Sequence, residues 1–153
     1  MQKLAVLALA VAAAVLAGGA SAAPQQKTIR LVLVQQHMYS NPAVGPSSPP
    51  RPGMTMIFDQ ALYNAAPQFG KPKGALVGRA SSICTIVSAQ DLQCAVAAHL
   101  PDGQLALMGS GLLRSPNSTL AIAGGAGAYT DARGSASAHS TSQTRSLVTV
   151  RFA

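Results

Sequence analysis

The chain contains no glutamate and no tryptophan, only 4% aromatic residues, and only 10% charged residues. Eleven Lys and Arg face four aspartates, Asp59, Asp91, Asp102 and Asp131, for a net charge of +7 over 153 residues. A basic chain attracts polyanions in general. Here the charges are scattered singly or in pairs, and six dispersed aromatics offer no stacking platform between them. That pattern excludes the clustered basic stripe of a nucleic-acid binder. Two cysteines alone, Cys84 and Cys94, make a poor metal site, since zinc takes four ligands. The three histidines, His37, His99 and His139, are far apart in sequence, so each reads as an ordinary strand residue. No Gly-x-Ser-x-Gly elbow occurs. Gly124-Gly125-Ala126-Gly127 lacks both the Walker lysine and the third glycine of a dinucleotide loop, and a strand rather than a helix follows it. No motif calls for a metal or an organic cofactor, and none is expected.

Long apolar runs are scarce too, and the longest, Leu4 to Ala17, follows the positive start Met1-Gln2-Lys3. It is shorter than the roughly 20 residues of a spanning helix. Gly18-Gly19 closes it, and Ala20-Ser21-Ala22 supplies the small residues read by a signal peptidase. The segment 1–22 therefore reads as a cleaved signal peptide, and residues 23–153 as one exported domain with no membrane span. The expected location is secreted or periplasmic. Loss of Lys3 lowers the net charge by one.

No segment shows a helical period with caps. Strand periods run throughout, clearest in the last arm, where Val148, Val150 and Phe152 alternate with Leu147, Thr149 and Arg151. The expected strands are Thr28–His37, Met54–Tyr63, Gly74–Val87, Leu92–Leu100, Gln104–Leu113, Ser118–Ala123, Ser135–Thr141 and Arg145–Phe152. Met38 to Gly53 holds five prolines and reads as a loop or arm. Gly124 to Gly134 reads as an irregular crossing. About eight antiparallel strands joined by short turns predict an all-β closed barrel or sandwich, and a closed barrel removes the exposed edges. If the hairpin around Ser88–Asp91 closes symmetrically, position 84 faces 94. In an oxidising compartment this favours a structural disulfide over a redox pair. It would be worth about 2–3 kcal/mol.

Asp59 is the unusual acid, lying inside the apolar strand Met54-Thr55-Met56-Ile57-Phe58-Asp59 beside Gln60. A carboxylate there faces solvent, caps a loop, or points into a barrel with a raised pKa; the first two are commoner. Gly53–Tyr63 followed by Gly74-Ala75-Leu76-Val77-Gly78-Arg79-Ala80 resembles the early signature of the dirigent and allene oxide cyclase superfamily. Gly124-Gly125-Ala126-Gly127-Ala128-Tyr129-Thr130-Asp131-Ala132-Arg133-Gly134 resembles its late one, and with matching strand spacing the likeness covers about Thr28 to Phe152. The secreted two-cysteine form looks like the bacterial branch. The resemblance implies an eight-stranded antiparallel barrel, a dimer or trimer, binding a small hydrophobic or aromatic molecule and guiding its stereoselective cyclisation or coupling. It implies Asp59 and Arg133 as catalytic or positioning groups and Phe58, Gln60 and Tyr129 as ligand-binding residues. Ala126 stands where the family has Thr, and Ser81-Ser82 where it has Gly. The cyclases' cavity glutamate has no counterpart, which argues against allene oxide cyclase activity itself. The rival expectation is a non-catalytic carrier or envelope barrel with a filled interior.

Overall fold

A computed structural model describes residues 27–43 and 49–153. The expected signal segment 1–22 lies outside the described residues. Eight strands follow in chain order: β1 (Thr28–Asn41), β2 (Thr55–Asn64), β3 (Leu76–Ile86), β4 (Asp91–Leu100), β5 (Gly103–Leu112), β6 (Asn117–Gly127), β7 (Gly134–Ser140) and β8 (Arg145–Phe152). Each pairs antiparallel with the next, and β8 returns to β1 through Thr28↔Arg151 to Val34↔Arg145, which closes a barrel. The cause is local. Side chains of a strand point alternately to the two faces, and β3 buries Ala80, Ser82, Cys84 and Ile86 while Arg79, Ser81 and Ile83 stay outside. Rolling the sheet into a cylinder puts every such inward row in one enclosure.

Two elements are longer than the sequence predicts. β1 continues past His37 to Asn41, because Met38 to Asn41 find partners in Phe58 to Thr55 and the first proline comes only at Pro42. β6 likewise runs through the glycines to Gly127, whose partners are Gly103 to Ala106. Gly125 is required there: a Cβ on it would strike the carbonyl oxygens of Gln104 and Tyr129. The glycines thus admit a close-packed turn onto the barrel end, where a loop crossing was expected.

A bulge between Gln35 and His37 makes Gln36 the extra residue of β1. It leaves Gln35 facing inward and turns His37 outward. Cys84 and Cys94 are directly opposed across β3 and β4 and form a disulfide, with Cα atoms 4.1 Å apart.

Apolar packing is concentrated at one end of the cylinder. Ile29, Leu31, Leu62, Ala80, Leu100, Leu105, Ile122 and Val150 form a closed core there, and Tyr129 seals it. Each fully buried Leu or Ile contributes about 1.5–3 kcal/mol. Asn64, 1% exposed, ties the loop after β2 to this end: its Nδ2 lies 2.8, 3.1 and 3.2 Å from the carbonyls of Gln68, Lys71 and Pro72. Gln68 in turn bonds both the N–H and the carbonyl of Arg30.

Candidate functional site: an open half-barrel cavity

The other end of the barrel is not filled. A cavity of about 310 Å³ opens there, at the lower end of the roughly 300–1,000 Å³ typical of small-molecule sites. Its apolar wall comes from the inward rows: Leu33 on β1, Met56 and Phe58 on β2, Val96 on β4, Leu107 on β5 and Val148 on β8. Small residues, Ala136 and Ala138 on β7 and Gly111 on β5, leave the room that larger ones would occupy. Turns 113–116 and 141–144, with Leu112 at the end of β5, form its rim. The Cys84–Cys94 disulfide is part of the wall, so the bridge both staples β3 to β4 and shapes the cavity.

Polar side chains line the rim, at Ser115, Ser118, Ser140, Gln143, Thr144 and Ser146, and a smaller set lies within the apolar wall. Gln35 and Gln60 are cross-strand neighbours, and Ser82 Oγ donates to Gln60 Oε1 at 3.5 Å. Among the described residues lining the cavity there is no Asp, Glu, His, Lys, Arg or Tyr. Such a space can hold and orient an apolar molecule; it offers no side chain for general acid–base transfer.

The expected site residues separate accordingly. Phe58 and Gln60 line the cavity. Asp59 does not: of the orientations open to a strand carboxylate it takes an outward one, and not the cavity position that the resemblance implies. It lies between two inward residues of one strand and therefore projects from the outer face. There it receives Arg79 Nη2 at 2.9 and 3.1 Å, with His37 Nδ1 at 3.5 Å. The bonds from Arg79 hold its carboxyl below the ordinary range, against a smaller opposing effect of burial. This is the reverse of the raised pKa a cavity acid would have. Arg133 is also outside, exposed, and donates to the carbonyl of its own neighbour Ala132 at 2.9 Å. Tyr129 lies at the closed end, 3% exposed and stacked on Phe152 with ring centroids 5.8 Å apart. Lys27 Nζ sits 5.7 Å above its ring. Burial, then the charge of Asp102, pushes its phenol up. The histidines have separate partners: His37 with Asp59, His99 with Gln104, His139 with Asn117.

Sequence reasoning missed Gln35, Ser82 and most of the wall. Strict alternation would have found Ser82, an inward neighbour of Ala80 and Cys84. The same alternation, run from Leu31 and Leu33, reaches Gln35, and the bulge at Gln36 alters only the facing of His37 beyond it.

No protein-family model and no curated protein sequence matches the chain. Solved structures do. A structure entitled "Pyocyanin demethylase" superposes with a TM-score of 0.67 and 18% identity, covering 83% of this chain and 100% of the other. A pterocarpan synthase dirigent protein gives 0.61 and 20%, covering 84% and 83%. An exo-specific intermolecular Diels-Alderase gives 0.67 and 13%, covering 83% and 97%. The barrel therefore shares its fold with these proteins, a dirigent protein and a Diels-Alderase among them. At these identities the likeness is one of fold, and the chemistry has to be argued from this chain's own cavity.

Proposed function

We propose that the protein binds a small hydrophobic or aromatic molecule in the open half of its barrel and guides that molecule's stereoselective cyclisation or coupling. The observation that carries this reading is the cavity itself, apolar, open at one end and backed by a solid core. Confinement is the chemistry such a space supplies: holding one conformer with its reacting atoms in contact removes entropy that free reactants must lose. The neighbouring folds named for a Diels-Alderase and a pterocarpan synthase support the reading, because bond formation within one held conformer is compatible with a wall free of acids and bases. Phe58 would stack on the guest, and Gln60 would orient it. The disulfide supports export to an oxidising compartment, secreted or periplasmic.

The absence of titratable groups equally suits a carrier, and product analysis separates the two. In the carrier reading the guest is released unchanged; in the guiding reading the protein shifts the stereoisomer ratio of the product formed. The primary experiment is mass spectrometry of organic extracts from the exported protein and from Ala138→Phe, which fills the cavity. A low-mass apolar compound held by the native protein and lost from the variant is expected. Identical extracts from both would reject the cavity as the site.

A further inference from the structure

The cavity's polar side chains fall in two sets: Ser115, Ser118, Ser140, Gln143, Thr144 and Ser146 belong to the rim turns and the strand ends beside them, while Gln35, Gln60 and Ser82 stand among the apolar wall residues and bear on the choice of guest. Gln35 and Gln60 face each other across β1 and β2, and Ser82 sits behind Gln60 with 5% of its surface exposed. Ser82 is bonded to Gln60 Oε1, which leaves Gln60 Nε2 without a partner among the described residues; the Gln35 carboxamide has none either. Around them stand Leu33, Phe58, Val96 and Leu107. A carboxamide both donates and accepts. Both carboxamides are half-buried and face the open cavity, so a guest that covers them has to replace the water they lose, and one that bonds them is favoured. Among the described residues, no positive charge lines the cavity to offset a buried anion, and no acid lines it to offset a cation.

We infer that the cavity selects neutral guests carrying a hydroxyl or carbonyl on an apolar ring skeleton, with that oxygen held by Gln35 and Gln60, and rejects carboxylates and amines of the same shape. This rests on the cavity being the binding site and adds the chemical class of what enters it. It runs against the field of the whole chain: a net charge of +7 draws anions to the surface. Discrimination against an anion must therefore come from the interior.

The test uses three probes of one skeleton at neutral pH: naphthalene, 2-naphthol and 2-naphthoate, with binding followed by ligand-observed NMR. The naphthol binds tighter than naphthalene by roughly five- to tenfold, the value of one or two net hydrogen bonds. The naphthoate binds at least about tenfold more weakly than the naphthol, because its charge would be buried unpaired. In Gln35→Met/Gln60→Met, with folding checked by circular dichroism and melting, the gap between naphthol and naphthalene closes. Equal binding of all three probes, a preference for the naphthoate, or an unchanged gap in the double variant overturns the inference and leaves the cavity reading standing. Binding of none of them to the native protein overturns both.

Discussion

At the scale of single residues, the outer-face cluster of Asp59, Arg79 and His37 and the closed-end Tyr129 show how polar groups divide between the two sides of a barrel wall. Asp59 is held below its ordinary 3.8 by Arg79. A depressed carboxyl stabilises the fold above its unfolded pKa, and that contribution is lost as pH falls through the lower folded value. Asp59→Asn therefore leaves acid unfolding shallower in that window. In Arg79→Gln the Asp59 carboxyl titrates closer to its ordinary value when followed by carboxyl chemical shifts; an unmoved midpoint would show that Arg79 is not the cause. The Tyr129 hydroxyl is buried with no partner among the described residues. Tyr129→Phe removes an unsatisfied group while keeping the ring against Phe152, so thermal melting shows it neutral or stabilising, by up to about 1 kcal/mol. A marked loss of stability would mean that the hydroxyl has a bonding role.

At the scale of elements, the β2–β3 loop depends on one side chain. Asn64 Nδ2 is shared among three carbonyls of residues 68–72. Asn64→Asp replaces that donor with a buried acceptor facing three acceptors. A loss of about 2–4 kcal/mol in denaturant unfolding is expected, larger than for Asn64→Ala. Much of this level was legible in the sequence. Alternation located all eight strands, and the Ser88–Asp91 turn placed Cys84 opposite Cys94. What escaped were features that alternation does not encode: the extra residue at Gln36, the extension of β1 to Asn41, and the pairing of Gly124–Gly127 with β5. The placement of Asp59 follows from the pleat. Phe58, Asp59 and Gln60 are consecutive on one strand, and a pleated strand cannot send all three into one cavity. The family signature marked the strand, while the pleat decides which of its residues face the guest.

At the scale of the whole molecule, the barrel is two unequal halves sharing the same eight strands. In one, Ile29, Leu31, Leu105 and Val150 are 1–3% exposed and packed against Tyr129. In the other, Leu33, Met56, Val96 and Val148 face open space. Stability is not uniform in such a structure: segments with fewer buried contacts open at lower free energy than the global transition. The closed half is then the anchor and the cavity half the adaptable part, with the disulfide limiting how far β3 and β4 can part at the open end. Native-state hydrogen exchange should show this gradient along single strands. Amides of Leu31 and Val150 exchange near the global limit, and those of Gln35 and Ser146 exchange faster, although all four lie in β1 or β8. A saturating neutral guest slows Gln35 and Ser146 selectively, because binding adds the missing contacts to one half only. Uniform protection along β1 and β8, with or without a guest, would mean that the cavity is as rigid as the core and that the halves do not divide the work of folding and binding.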